Sequence, residues 1–128
     1  MREIKIVIPL TPITKKNSQR IIINKKTGKP YPIPSKAYSL FEKQAGWFIN
    51  GGLRDLKIAA PVNVKCLYYM PTKRQVDLTN LLEATDDILV KYGVLEDDNS
   101  NIVASHDGSR VLLDRNNPRT EITISFYA

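Results

Sequence analysis

Seven carboxylates are concentrated in one short segment of this 128-residue chain. Residues 77–98 carry them together with a single basic residue, Lys91. Mg²⁺ prefers oxygen ligands, commonly a few carboxylates, and it keeps several bound waters. In phosphodiester hydrolysis such an ion lowers the pKa of a bound water and stabilises the charge that develops on the phosphate. The segment therefore predicts a hard-cation site, on the condition that the fold brings some of these carboxylates together.

Part of the acidic segment has the periodicity of a helix that begins at Asp77. Asn80, Glu83 and Asp87 recur at intervals of three and four residues, so they share a face opposite the leucines. A further acidic group at residues 96–98 follows the predicted helix end. The helix would thus present carboxylates on one side, and the loop after it would present more.

Simpler interpretations exist for each of these acidic residues. Asp77 is typical of a helix N-cap, whose side chain accepts a hydrogen bond from a backbone N–H. Glu83, Asp86 and Asp87 are compatible with a solvated helix face. The DDNS sequence at residues 97–100 is typical of a turn. Composition alone does not choose between these interpretations and a metal site.

The apolar pattern predicts a mixed α/β (α+β) fold that positions the segment. Residues 3–8 and 62–70 alternate as half-buried strands do. Ser35 is a plausible N-cap for a helix that ends near Gly51, and residues 77–92 carry the strongest helical pattern, closed by Gly93. Additional strands are predicted at residues 20–24, 29–33, 102–105, 111–113 and 121–127. We expect a single domain over residues 1–128, with a small mixed β-sheet and two main helices.

Positive charge is concentrated in the other part of the chain. Residues 1–75 contain fifteen Lys and Arg against three acids, whereas residues 76–128 contain four against ten. This asymmetry indicates a polyanionic partner such as DNA, since Lys and Arg contacts to phosphates supply most sequence-independent affinity. The predicted DNA-binding residues are Lys15, Lys16, Arg20, Lys25, Lys26, Lys73 and Arg74. Lys73 and Arg74 lie just before Asp77 and are placed to hold a scissile phosphate or neutralise its charge.

Three further residues receive weaker assignments. Tyr31 and Tyr38 are candidates for stacking on exposed bases, although packing is the commoner role of tyrosine. His106, next to Asp107-Gly108, is interpreted as an exposed turn residue. Cys66 lies in an alternating apolar stretch and is expected to be a buried, reduced thiol. With no apolar run that would span a membrane and no signal-peptide pattern, we expect an intracellular, cytoplasmic protein.

The motif residues resemble the RusA family of Holliday junction resolvases, the crossover junction endodeoxyribonucleases. The resemblance rests on Asp77-Leu78-Thr79-Asn80-Leu81, the helical Asp87, Gly93 and the Asp97-Asp98 pair, and more loosely on the N-terminal IPLTP and KKN sequences with Ser35 and Tyr38. It implies a small dimeric endonuclease, of the phage or prophage type, that makes paired nicks in four-way branched DNA during recombination and repair. The implied cofactor is Mg²⁺, with Mn²⁺ as a substitute, and no small-molecule substrate is implied. Asp77 and Asp98 match the family's catalytic, metal-binding acids.

Two positions depart from the family pattern. The second motif carboxylate is replaced by Thr79, and a lysine of the family corresponds to Glu83. We hypothesise that Glu83 serves as the third catalytic and metal-binding carboxylate, with Asp87 as the reserve candidate. The alternatives are a two-ligand site in a non-catalytic junction- or DNA-binding protein, and a nuclease for flaps or other branched DNA. For the dimer contact, the apolar residues Trp47, Phe48 and Ile49 are a first hypothesis.

Overall fold

A five-stranded mixed sheet and two helices are the main elements of the computed structural model. The structure describes residues 3–15 and 19–127, without the side chains of residues 19, 20 and 34. In chain order the elements are β1 (Glu3–Ile8), β2 (Gln19–Ile23), β3 (Pro30–Pro34), α1 (Lys36–Trp47), β4 (Val62–Met70), α2 (Leu78–Lys91), β5 (Val103–Ser105), β6 (Arg110–Leu113) and β7 (Arg119–Phe126). The predicted α+β class, with a mixed sheet and two main helices, is confirmed.

The main sheet places β7 between β1 and β4. β7 pairs antiparallel with both of these strands, while β5 and β6 pair parallel with β4 along its other edge. A parallel pair needs a crossover connection, which α2 provides between β4 and β5. As a consequence, the loop that follows α2 leads directly into a strand beside β4, and this brings the acidic residues 96–98 back towards the helix.

The core lies between the sheet and the inner faces of the helices. On β1 the alternation predicted from sequence is confirmed, since Ile4, Ile6 and Ile8 are buried and the residues between them are exposed. The buried side chains of α2 include Leu81, Ile88 and Leu89. Burial of such side chains is the main favourable term in folding, so α2 is held by its apolar side and leaves its acidic side outward.

Both helices begin at the residues that the sequence indicates. Ser35 accepts a hydrogen bond of 3.1 Å from the N–H of Tyr38, and Asp77 accepts one of 3.0 Å from the N–H of Thr79. α1 ends at Trp47, earlier than the predicted end near Gly51, and residues 51–55 form turns instead. After α2, Gly93 adopts φ +76°, and a Cβ there would lie 2.7 Å from the backbone nitrogen of Asp55. Glycine is therefore required at that position.

β2 and β3 form a separate two-stranded hairpin with Lys25 and Lys26 in its exposed turn. The hairpin predicted from sequence is thus confirmed. Among the described residues no helix is both long enough and apolar enough to cross a membrane.

Candidate active site

Asp77 lies at the start of α2, beside the two basic residues that precede it. An open cavity of about 540 Å³ is lined by Asp77, Lys73 and Arg74 together with Gln75, Val76 and Val111. The N-cap interpretation of Asp77 is confirmed, because its Oδ1 accepts from the Thr79 N–H. Capping fixes the carboxylate at the helix start, next to the basic side chains expected to hold a phosphate.

A second cavity of about 260 Å³ brings together carboxylates from α2 and from the loop after it. Its lining consists of Thr79, Leu82, Glu83, Asp86, Asp98 and His106. Glu83 and Asp98, which are far apart in sequence, therefore share one cavity. Thr79 contributes to this cavity and is also hydrogen-bonded to Asp77 through its hydroxyl, at 2.6 Å. Thr79 therefore lies between Asp77, to which it is hydrogen-bonded, and the cavity that Glu83 and Asp98 line.

Asp86 is buried rather than part of a solvated face, which corrects one interpretation of the helical acids. The residue is only 8% exposed, and its Oδ2 lies 2.9 Å from Nε2 of His106. The physical reason is its position: Asp86 follows Leu82 by four residues and precedes Leu89 by three, which is the core-facing side of the helix. A buried carboxylate needs a partner, and His106 provides it.

His106 is correspondingly not an exposed turn residue. Its Nδ1 lies 2.8 Å from the carbonyl oxygen of Val64 on β4, while its Nε2 faces Asp86. The hydrogen bond to Asp86 raises the pKa of His106, and burial of the ring opposes this. Burial raises the pKa of Asp86, the bond to His106 opposes it, and the nearby charge of Asp98 raises it further.

Asp87 lies on the outer side of the helix near Lys15. The Lys15 Nζ and an Asp87 carboxylate oxygen are 3.8 Å apart, and both side chains are partly exposed. Burial raises the pKa of Asp87, Lys15 lowers it, and the charges of Asp98 and Glu83 raise it. These acids are thus close enough to repel one another, and a bound cation would relieve that repulsion.

The donor chemistry of these carboxylates fits a hard cation, because oxygen ligands are what Mg²⁺ takes. The positions of these carboxylates, however, do not form a complete metal site. Within residues 3–15 and 19–127, no three His, Cys, Asp or Glu side chains form a ready-made group that would hold a metal ion. Asp77 borders one cavity, and Glu83 and Asp98 border the next.

The predicted DNA-binding residues fall in three places. Lys73 and Arg74 line the same cavity as Asp77, Lys15 lies near Asp87, and Lys25 and Lys26 occupy the hairpin turn. Lys16 lies outside the described residues, and Arg20 belongs to β2 although its side chain is not described.

Two assignments of apolar and aromatic residues need correction. Tyr38 is 1% exposed on the inner side of α1, so it is not available to stack on a base, whereas Tyr31 is 40% exposed. Trp47 and Phe48 are exposed, but Ile49 is buried in the core and does not belong to a contact surface. Cys66 is a buried free thiol, as predicted.

Comparison with known proteins connects this geometry to a family. A model of the endodeoxyribonuclease RusA family matches residues 9–125, which is most of the chain. The chain belongs to the RusA family. The resemblance inferred from its motif residues is therefore confirmed, and RusA homologues are crossover junction endodeoxyribonucleases, that is, Holliday junction resolvases.

Two RusA proteins illustrate the relationship. The crossover junction endodeoxyribonuclease RusA of Aquifex aeolicus (strain VF5) is 27% identical over 99 residues, which cover 77% of this chain and 75% of that protein. The crossover junction endodeoxyribonuclease rusA of Enterobacteria phage 82 is 40% identical over 50 residues, which cover 39% of this chain and 42% of that protein. The phage relative agrees with the predicted phage or prophage type.

The pairing of Asp86 with His106 is the feature of this RusA chain that sequence reasoning missed. The sequence did contain a sign of it, because Asp86 occupies a core-facing position on the apolar side of the predicted helix. A buried acid needs a polar partner. Because the chain has a single histidine, it was the natural candidate for that partner.

Proposed function

We propose that this protein is a Holliday junction resolvase that hydrolyses phosphodiester bonds in four-way branched DNA by paired nicks. The observation that carries the proposal is the position of Asp77 between Lys73 and Arg74 on one side and, through Thr79, the cavity of Glu83 and Asp98 on the other. Basic side chains beside carboxylates are what a phosphodiester substrate requires, because phosphate must be held next to a negatively charged site. The RusA match over residues 9–125 supports the same conclusion.

In this proposal each group has a distinct role. Lys73 and Arg74 bind the scissile phosphate and offset the charge that develops on it. Asp77, Asp98 and Glu83 would hold the divalent ion, Mg²⁺ with Mn²⁺ as a substitute, and Asp87 would be the reserve ligand. When bound, the ion would supply an activated water and stabilise the charge on the leaving oxygen. The remaining basic residues, including those of the hairpin turn, hold the duplex arms through their phosphates.

Paired nicks require two active sites related by a two-fold axis, so we propose that a homodimer acts on the junction. The exposed Trp47 and Phe48 are candidates for the contact between the two copies. We further propose that residues 1–128 act as one endonuclease domain inside the cell, where its DNA substrate is found.

One observation favours a second candidate function, that of a non-catalytic junction-binding protein. Thr79 replaces a charged ligand, and the described acids do not form a three-ligand cluster. The basic residues would then still bind the DNA, but the protein would not hydrolyse its phosphodiester bonds. A nuclease for flaps and other branched DNA is the remaining alternative, since phosphate contacts do not distinguish between branched substrates.

Cleavage of a labelled synthetic four-way junction separates these candidates. The assay compares this substrate with linear duplex and flap DNA, with and without Mg²⁺, for the wild type, Asp98→Asn and Glu3→Gln. Glu3 is an exposed acid on β1 and serves as the matched charge control. Paired nicks that require Mg²⁺ and disappear only in Asp98→Asn support the resolvase. Tight junction binding without cleavage in Mg²⁺ or Mn²⁺ would establish the binding protein, and preferred cleavage of flaps would establish the general nuclease.

A further inference from the structure

The buried Asp86–His106 pair connects three parts of the fold at the candidate site. Asp86 belongs to α2, His106 follows β5, and the carbonyl of Val64 that binds the other ring nitrogen belongs to β4. The side chain of His106 is 25% exposed and that of Asp86 is 11% exposed. None of the roles proposed above uses either residue.

The hydrogen bonds determine how many protons the pair holds. A carbonyl oxygen only accepts, so Nδ1 of His106 carries a proton and its N–H donates a hydrogen bond to the carbonyl oxygen of Val64. Between Nε2 and Oδ2 of Asp86 there is then one proton, which belongs either to an imidazolium or to a carboxylic acid. In both cases the pair has no net charge. While the pair holds this proton, it links the helix to the strand without adding negative charge to the cavity that contains Asp98.

Stability alone does not account for such a pair. Replacing a buried charged or polar pair by apolar side chains of similar size is often neutral or stabilising. Moreover, the second oxygen of Asp86, Oδ1, is buried and has no hydrogen-bond partner among the described residues, which is a cost. What the pair provides instead is a fixed geometry, because both ring nitrogens are engaged and the ring has one allowed orientation.

The groups that this geometry fixes are the acids of the candidate site. Asp86 lies three residues after Glu83 on α2, and His106 terminates the segment that leads from Asp98 through β5. All four residues line the same cavity. We infer that Asp86 and His106 are positioning residues, which set the distance between Glu83 and Asp98 so that both can bind one cation. This inference rests on the proposed metal-binding role of those two acids.

The test compares two replacements of Asp86 that differ in hydrogen bonding. In Asp86→Asn the amide N–H can donate to Nε2 of a neutral His106, so the link from α2 to β4 is kept. In Asp86→Leu the hydrogen bond to His106 is lost, and an apolar side chain of similar volume takes the place of the carboxylate. Mn²⁺ binding, followed by the electron paramagnetic resonance signal of the free ion, is measured beside single-turnover cleavage and junction affinity. Because His106 is the only histidine, its ¹⁵N resonances report the state of the pair directly.

We expect Asp86→Leu to weaken Mn²⁺ binding by about tenfold or more, the usual effect of removing a residue that orients a ligand, with junction affinity unchanged. Asp86→Asn should remain within about threefold of the wild type, and its His106 resonances should show Nδ1 protonated. Equal Mn²⁺ binding by Asp86→Leu and the wild type would overturn the inference, as would equal losses in both variants, or a wild type that binds no Mn²⁺. If Asp86→Leu does not fold, the double variant Asp86→Leu/His106→Leu supplies the apolar pair and is judged by the same criteria. A wild type that binds Mn²⁺ but never cleaves the junction would contradict the proposed function. The positioning inference would still be tested by comparing Mn²⁺ binding of the wild type and the variants.

Discussion

The hydroxyl of Thr79 donates a hydrogen bond of 2.6 Å to Oδ1 of Asp77, and the backbone N–H of the same residue donates another of 3.0 Å. One oxygen of Asp77 is therefore occupied by Thr79, the residue that stands where the resemblance to the RusA family implies a second carboxylate. Both contacts stabilise the start of α2, since they satisfy a free N–H and fix the carboxylate near the positive end of the helix.

Restoring the missing carboxylate should strengthen metal binding. In Thr79→Asp, a second acid stands beside Asp77 and lines the cavity of Glu83 and Asp98, so the site gains a charged oxygen ligand. We expect Mg²⁺-dependent junction cleavage to saturate at a metal concentration several-fold lower than in the wild type. Thr79→Asn has nearly the same size without the charge and serves as the control. Equal metal dependence of the two variants would mean that position 79 does not contribute to the site.

The third carboxylate is assigned by comparing Glu83 with Asp87. Glu83 shares a cavity with Asp98, whereas Asp87 faces Lys15. We therefore expect Glu83→Gln to lower cleavage at limiting Mg²⁺ by about tenfold or more, and Asp87→Asn to have a smaller effect. The measurement is the single-turnover cleavage rate as a function of Mg²⁺ concentration. Wild-type cleavage by Glu83→Gln under limiting metal would show that Glu83 is not a ligand.

The arrangement of elements was largely accessible from sequence, because it depends on local patterns. The alternation in β1 and the caps at Ser35 and Asp77 arise from neighbouring residues, and all three were predicted correctly. The Asp86–His106 contact depends instead on the parallel crossover, which places residues distant in sequence on the two sides of one cavity. The candidate stacking role of Tyr38 was wrong for a related reason. Only the packing of α1 in the folded protein determines which of its aromatic side chains is buried, and this packing cannot be read from the local sequence.

Stability should fall as the pH rises through the titration of the Asp86–His106 pair. The pKa values of both residues are raised in the folded protein, so the folded state binds protons more tightly than the unfolded chain. A raised folded pKa gives stability that is present below the unfolded value, about 6.5 for histidine, and is lost as the pH passes the folded value. Urea unfolding between pH 5.5 and 8 measures this loss. The range ends below the pKa of an unfolded cysteine, about 8.5, because burial raises the pKa of Cys66 to about 12 and the thiol therefore adds its own loss of stability at higher pH.

The His106→Asn variant is the control for that pH dependence. It removes the only histidine, so the decline in unfolding free energy between pH 6 and 8 should become shallower, while the variant is destabilised by about 1–3 kcal/mol at pH 6 because Asp86 loses its partner. An unchanged slope in this variant would assign the titration to another group.

The salt dependence of junction binding should identify the residues that contact phosphate at the active site. Lys73 and Arg74 are exposed and line the cavity of Asp77, so each should neutralise one phosphate of the bound DNA. Removing one such contact reduces the slope of log K against log salt concentration by about 0.9 for duplex DNA. We expect that reduction for Lys73→Ala and for Arg74→Ala, measured by fluorescence anisotropy with Ca²⁺ in place of Mg²⁺ to prevent cleavage. Lys43→Ala, which removes an exposed lysine of α1, should leave the slope unchanged. If all three variants lower the slope equally, the effect reflects net charge, and the phosphate is not held specifically beside Asp77.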